Sequence, residues 1–558
     1  MKNIDIPKWI GRLTFLLGAI NLAANISGKF RPVAHRLNKF LPTIVNSTAF
    51  STALFTSLTL ILLARGLGRR KRRAWNITVL VLALNLLSDI FRIHHHPLQI
   101  VTNSILLVVL LLLRKEFYAI SDPSTRNQPI YAFVIILSFT IIAALLMIYY
   151  RHGNQVIGNP SFKNVLLTVL EGMVGVTGPV EFVNQRVSDT VDFSLGALGI
   201  FTIVLPLFLF FRRVAPLPKM TDEDIAVIRT LIKHDGEQDS LGYFATRRDK
   251  SVIFTPNKKA GIAYRVQGGV MLASGDPFGE FSLWTDVIDL FLEEARKHAW
   301  TPAVMGASDR GGEVWVEHAD MTAFDIGDEA IIKVKDFTLE GRPMANVRQM
   351  VNRIKRKGYE ARTTRWVDLD EATQRELRSL AKKWRYGAPE RGFSMALDRF
   401  GAEIDDDCII TVATLGSEIK GLLYFVPWST DGLSLDRMQR ERGTDAGVNE
   451  LLIVQTVEWA KENKVENISL NFAAFRSLFE RADKISAGPI TRGTRNLIRL
   501  LSNFFQVESL YRFNAKFDPE WQTRYLVYPK ATDLAKISWA AIRAEQFIGN
   551  FRSKAMKD

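Results

Sequence analysis

Six stretches of roughly 17–25 mainly apolar residues crowd the first 211 positions, at about 9–28, 47–66, 74–91, 97–113, 130–150 and 193–211, which is the length a bilayer core of about 30 Å calls for. No other feature restricts the fold as strongly. Inside lipid every backbone amide must find its partner within the chain, and for segments of this length only helices achieve that. The first stretch is diluted by Asn21 and Asn25. No convincing cleavage site follows it, so it reads as a span rather than a signal peptide. "NVLLTVLEGMVGVTGPV" (164–180), rich in Gly and carrying Glu171, reads as a re-entrant or interfacial segment.

Charge sharpens the division. The net charge is +14. Residues 1–211 hold 20 Lys and Arg against 8 Asp and Glu, and the remainder holds 52 against 50. The excess basicity therefore belongs to the apolar half, where membrane topology explains it better than a polyanion footprint. "RGLGRRKRR", Arg114, Lys115 and Arg126 fall on one side of the six spans, with Arg212, Arg213 and Lys219 after the last. The positive-inside rule then places both ends, and everything after about residue 215, in the cytoplasm. Asn85 and Asp89 share a helical face and read as packed or interfacial, and His94-His95-His96 as a solvated loop rather than a metal site. The lone cysteine, Cys408, excludes an intrachain disulfide and reads as core within "CIITVATL".

From "MTDEDIAVIRTLIKHDG" onward, short apolar strands alternate with amphipathic helices. "SVIFTPNKKAGIAYRVQGGVMLASGDP" holds two or three strands, and "LWTDVIDLFLEEARKHAW" and "MANVRQMVNRIKRKGY" are helical. The order returns with a helix at 371–386, strands "CIITVATLG" and "IKGLLYFVPWS", a helix at 448–463 and the strand "NISLNFA". This is an α+β pattern in two similar halves. Gly275-Asp276-Pro277 has neither Walker nor dinucleotide spacing and reads as a tight turn.

Five ordered motifs carry a resemblance: "YRVQGGVMLASGDPFGE", "DEAIIKVKDFTLEGRPMANVRQMVNRIKRKGY", "ERGFSMALDR", "SLNFAAFRSLFE" and "VESLYRFNAKFDPEWQTRYLVYP". Over roughly 220–535 the chain resembles the catalytic domain of the lysyl-phosphatidylglycerol synthase (multiple peptide resistance factor) family, and most of all the form fused to a lysyl-tRNA synthetase. The resemblance implies a multi-pass α-helical membrane domain followed by an α+β cytosolic domain of tandem GNAT-like acyltransferase modules. The expected boundaries are 1–215 for the membrane domain, 216–365 for the first module, 366–540 for the second, which holds most of the active site, and 541–558 for a tail. A transferase without a synthetase module, and with too few spans for a full flippase, is expected.

The implied activity moves an aminoacyl group, by likeness lysyl, from aminoacyl-tRNA to phosphatidylglycerol at the bilayer. It needs no cofactor and no metal, and it adds a cationic amine that lowers the membrane's negative potential and weakens binding of cationic peptides. Alanine and ornithine stay open as the group carried. Exchange between two esters is nearly isoenergetic, so the demands are alignment, proton removal and oxyanion stabilisation. Asp436, Arg440 and Lys516 match the family's catalytic residue types, although the family arginine usually stands three after the Asp, where this chain has Gln439. Glu450, Asn471, Arg476, Tyr511 and Arg512 are the implied substrate-binding residues. Arg348 and Lys355 on one helix, and Arg492 and Arg495 on another, are candidates for tRNA or lipid phosphate.

Three alternatives compete. They are aminoacyl transfer to a peptidoglycan precursor, a coenzyme-A-dependent acyltransferase, and a translocase or scaffold. The coenzyme-A reading meets Asp445 where its pyrophosphate loop needs a small residue.

Overall fold

A computed structural model describes residues 6–26, 59–90 (without 65 and 69), 97–119, 128–151, 155–211 (without 174 and 175), 218–234 (without 219), 239–387, 392–472 and 507–545. The chain divides into two compact units, Met1–Pro216 together with Lys297–Ala299, and the remainder from Leu217.

The first unit is helical: α1 (Ile6–Ile26), α2 (Arg72–Ile90), α3 (Pro97–Leu112), α4 (Gln128–Leu146), α5 (Phe162–Met173) and α6 (Gln185–Phe211). Five of the six expected spans fall on α1, α2, α3, α4 and α6. The stretch 47–66 lies largely outside the described residues, as do His94–His96. Among the described residues no helix is long and apolar enough to cross a membrane. The 16 residues of α3 rise about 24 Å, and α6 opens on Arg186, Asp189 and Asp192 before a charge-free run to Phe211. The segment read as re-entrant opens as the short helix α5, buried through Val165, Thr168, Val169 and Gly172.

The exposed faces of these helices are apolar. Leu13, Leu16 and Ile20 on α1, Val101, Ile105, Val108 and Leu112 on α3, and Ile135, Phe139, Ile142 and Leu146 on α4 all face outward, each set at helical spacing. In the second unit the exposed large apolar residues described are only Phe281, Val316, Val367, Tyr386 and Trp539.

The second unit is one 12-stranded sheet with helices on both faces. Its strands are β1 (Ser251–Phe254), β2 (Ala260–Gln267), β3 (Val270–Ser274), β4 (Phe278–Gly279), β5 (Thr301–Ala307), β6 (Thr322–Lys333), β7 (Tyr359–Arg365), β8 (Ile409–Leu415), β9 (Glu418–Trp428), β10 (Gly432–Arg440), β11 (Asn467–Phe472) and β12 (Glu520–Tyr528). They run in the order β1-β2-β3-β5-β12-β6-β11-β10-β9-β8-β7, with β4 paired to β2. The final strand thus returns to lie between β5 and β6.

Helices α7 (Asp222–His234), α8 (Trp284–His298), α9 (Asp309–Ala319), α10 (Ala345–Arg356), α11 (Glu371–Lys383), α12 (Val448–Glu462), α13 (Val507–Asn514) and α14 (Leu534–Ala544) complete the unit. Their starts are readable as caps. Thr221 Oγ1 accepts from Asp224 N while the Asp224 carboxylate accepts from Thr221 N, a capping box. Ser308 caps α9 and Asp370 caps α11. One face of the sheet carries a continuous core through α7, α11 and α14. The other face carries two cores, one under α8 and α9 and one under α10 and α12. Cys408 is fully buried in the first of these, as expected.

At the centre lies a buried ionic cluster. Arg524 of β12 donates through Nε to Glu329 Oε2 of β6 at 2.8 Å, and through Nη2 to Glu329 Oε2 and to Ser240 Oγ. Its Nη1 lies 2.7 Å from Asp239 Oδ1. Arg524 and Glu329 are 2% and 0% exposed, so neither charge has water to fall back on. Removing one partner of such a pair costs about 3–5 kcal/mol. Arg524→Ala is therefore expected to lower unfolding stability by that amount in urea titrations followed by tryptophan fluorescence. A loss below about 1 kcal/mol, the scale of an exposed pair, would show that the cluster does not hold the sheet.

Candidate active site

Each half of the sheet contains one strand–helix–strand unit with parallel strands, and the two end differently. In the first, β3 and β5 pair over five residues, from Val270 with Thr301 to Ser274 with Met305. The seam stays shut beyond that point. Gly275 N donates to Met305 O at 2.9 Å, and the Asp276 carboxylate accepts from Ser308 N at 2.9 Å and from Ser308 Oγ. Burial and neighbouring Asp239 push the Asp276 carboxyl up to about 7, against the pull of Arg524. The turn read at Gly275-Asp276-Pro277 is a clasp.

In the second unit β10 and β11 pair for three residues only, ending at Ser434 with Ser469. Beyond that rung the pairings of both strands with their outer neighbours become irregular, between Leu435 and Arg437 on β10 and between Ser469 and Phe472 on β11. The residues at the parting are Asp436 and Asn471. Asn471 sits at φ +68°, the left-handed region that asparagine tolerates better than most residues. Its Nδ2 donates to Leu435 O across the fork and to Met395 O at 3.3 Å. Its Oδ1 is buried and has no hydrogen-bond partner among the described residues.

Asp436 has a side chain only 1% exposed. Oδ1 accepts from Leu397 N at 2.6 Å, while Oδ2 has no hydrogen-bond partner among the described residues and stands 3.9 Å from Arg437 Nε. Burial pushes its carboxyl up to about 6, against Arg437, the Leu397 amide and Arg247. A buried carboxylate with one unused oxygen, titrating near neutrality, is suited to accepting a proton from a substrate.

The roof of the fork is the loop Gly392–Leu397, part of "ERGFSMALDR". Gly392 has φ +120°, and a Cβ there would lie 2.6 Å from Ala396 Cβ, so the turn requires glycine. Three cations flank the loop. Arg247 donates to Ala396 O, and Lys250 and Arg265 stand over the Phe393 ring at 4.7 and 5.1 Å. Lys250 is fully buried, with Nζ donating to Phe244 O and Ser274 Oγ, and burial drives its pKa down. Although burial opposes it, hydrogen bonding from Arg247 holds Asp249 well below the usual carboxylate range.

The other candidates are placed elsewhere. Lys516 Nζ donates to Glu450 Oε1 at 2.8 Å, with the lysine 31% and the glutamate 6% exposed, so these two form one unit at the start of α12. Phe517 and Phe513 pack into the core under α10 and α12, as do Leu435 and Met438 on β10. Asp436 reaches Leu397 on the opposite face. Among the described residues no hydrogen bond or ion pair joins Asp436 to Lys516 or Arg440. Arg440 is exposed and makes long contacts to Thr444 O and Asp445 O, at 3.5 and 3.4 Å. Asp445 is engaged by Lys357 and Tyr359. Arg348 donates to the carbonyls of Leu339 and Gly341, while Lys355 is exposed. Tyr511 stacks on Trp521 at 4.5 Å, and Arg512 is exposed. Arg476, Arg492 and Arg495 lie outside the described residues.

Several residues of the site escaped sequence reasoning. The paired tripeptides Ser434-Leu435-Asp436 and Ser469-Leu470-Asn471 are the two prongs of the fork. Their likeness was a usable signal. Ser434 Oγ donates to Ser240 O at 2.6 Å and Ser469 Oγ to Glu329 Oε1. Glu545 and the role of the 392–397 loop left no local pattern.

Residues 229–528 match the family model described as phosphatidylglycerol lysyltransferase, C-terminal, and residues 3–211 match the transmembrane region of lysyl-tRNA synthetase. The lysylphosphatidylglycerol biosynthesis bifunctional protein LysX of Rhodococcus opacus (strain B4) is 33% identical over 98% of this chain and 49% of its own length. That of Mycobacterium marinum (strain ATCC BAA-535 / M) is 34% identical over 97% and 50%. The chain thus spans about half the length of the curated relatives it matches. Two solved structures share the fold of the second unit, each with a TM-score of 0.50 and 21% identity. The C-terminal domain of a putative lysylphosphatidylglycerol synthetase from Agrobacterium fabrum covers 59% of this chain and 99% of its own. L-PGS from Bacillus licheniformis covers 60% and 98%. The α+β fold expected for this half is the fold shared with those synthase domains. On a family match covering more than half of its residues and a near full-length likeness at 33% identity, the chain belongs to the phosphatidylglycerol lysyltransferase family.

Proposed function

We propose that the chain transfers an aminoacyl group, lysyl in the first instance, from aminoacyl-tRNA to a glycerol hydroxyl of phosphatidylglycerol. The observation that carries this reading is the buried Asp436 carboxylate, with its unused Oδ2, at the fork of β10 and β11. In the proposed step Oδ2 takes the proton of the acceptor hydroxyl as its oxygen attacks the ester carbonyl. The tetrahedral oxyanion then collapses, and the terminal ribose hydroxyl of the tRNA leaves with a proton returned from Asp436. One ester is broken and one is made. Lys516 is the proposed oxyanion or phosphate ligand. Glu450 accepts from one of its three donors and fixes its direction.

The first unit is proposed to hold the transferase at the inner leaflet as a multi-pass membrane domain, with the second unit in the cytoplasm. The outward apolar faces of α1, α3 and α4 support this, since contiguous exposed apolar surface needs lipid or protein cover. The tandem-module division at about residue 365 and the phosphate-binding roles of Arg348, Lys355, Arg492 and Arg495 belong to the same reading.

The decisive experiment supplies vesicles of phosphatidylglycerol with tRNA charged separately with labelled lysine, alanine or ornithine and measures label in the organic phase. Label is expected with lysyl-tRNA. No lipid label with any donor would overturn the reading. Asp436→Asn is expected to lower the rate at least 10²-fold, the scale of a lost general base. The wild-type rate should rise as pH passes through about 6.

Stability should move the other way. A carboxyl raised to about 6 from an unfolded value of about 3.9 stabilises the fold below pH 3.9, and that contribution is lost as pH rises through 6. Asp436→Asn should therefore be more stable than wild type at pH 8 by up to about 3 kcal/mol, and the gain should vanish near pH 4. Lys516→Arg should keep the Glu450 pair and the melting temperature while losing about 10²-fold in rate. An unchanged rate would remove Lys516 from the chemistry.

A further inference from the structure

We propose that Glu545, at the end of α14, is a positioning residue for this transfer, suspending the Gly392–Leu397 loop and through it fixing the hydrogen bond that Asp436 receives. The inference rests on the reading of Asp436 given above. Glu545 is 2% exposed. Its carboxylate accepts from Phe393 N at 2.7 Å, from Ser394 N at 3.1 Å and from Ser394 Oγ at 2.5 Å. Its backbone carbonyl accepts from Gly392 N at 3.3 Å. Three donors converge on its two oxygens, and an amide in the same place would set its own NH₂ against one of those N–H groups.

The other end of the loop is the site. Leu397 N donates to Asp436 Oδ1, and Met395 O accepts from Asn471 Nδ2. Five residues therefore connect the Glu545 carboxylate to both prongs of the fork. A loop this short has few ways to lose its anchor and keep its far end in register.

The anchor itself stands on the first half of the sheet. Helix α14 packs with β2 and β3 in the continuous core, and Arg265 of β2 donates to Ala544 O at 2.9 Å. Glu545 thus ties a catalytic loop of the second half to a helix seated on the first. The charged groups facing Glu545 are Arg247, Lys250 and Arg265. Those facing Asp436 are Arg437, Arg247 and Asp405. Arg247 is common to both sets and donates to Ala396 O between them.

The test uses the full chain in phosphatidylglycerol vesicles with lysyl-tRNA and compares wild type, Glu545→Gln, Glu545→Asp and Asp436→Asn. Initial rates are taken from pH 5 to 8, with melting temperatures alongside. Glu545→Gln is expected to lower kcat about tenfold or more with KM for the charged tRNA nearly unchanged. The acid limb of its pH profile should move up, because Asp436 loses an N–H that favours its ionised form. Glu545→Asp should recover most of the rate. An unchanged rate in Glu545→Gln, a loss with the limb unmoved, or a loss that only follows the melting temperature would each overturn the role of Glu545. A wild-type rate in Asp436→Asn would overturn the reading of the site, and this inference with it.

Discussion

The buried Arg524–Glu329 pair decides where β10 and β11 stop being neighbours. Glu329 accepts from Arg524, from Ser240 and from Ser469, and Ser240 O accepts from Ser434. Ser434 and Ser469 form the last shared rung of the two parallel strands. One ionic cluster therefore pins the rung, and the strands are free to part immediately beyond it. The same arginine sits on β12, the strand that returns from the C-terminal region to lie between β5 and β6. Sheet continuity and site geometry thus depend on the same few buried charges. Their desolvation is offset only while every partner is in place.

The two strand–helix–strand units show what the fork requires by contrast. In the first, Asp276 spends both oxygens on Ser308 and the seam is closed. In the second, the corresponding gap is bridged by the Asn471 amide, and Asp436 keeps one oxygen in reserve. An unsatisfied buried acceptor costs roughly 1–3 kcal/mol. A fold retains such a cost where the group has a use. The surrounding cations Arg247 and Arg437 limit the penalty without neutralising the carboxyl at physiological pH.

The membrane attachment and the catalysis proposed above make opposite demands on surface composition, and the two units differ accordingly. The helices of the first unit expose leucine, isoleucine and phenylalanine at helical spacing. The second unit buries nearly all of its large apolar residues among three cores. The bilayer acceptor and cytosolic donor proposed above suit a molecule built in this way.

Much was legible in the sequence, for reasons of periodicity and local chemistry. The order of strands and helices followed from apolar spacing. The helix read from residue 371 starts on its Asp370 cap, whereas the helix that Ser308 caps was not among those read. Asp436, Asn471 and Glu450 came from motif likeness, and the structure places the first two together and gives the third to Lys516. The merging of both halves into one sheet, the return of β12, the fork at Ser434 and Ser469, and the anchoring of a loop by Glu545 151 residues away were decided only in three dimensions. Periodicity and caps are set by neighbours in the chain, whereas a buried charge acquires its meaning only from partners that folding brings to it from distant positions.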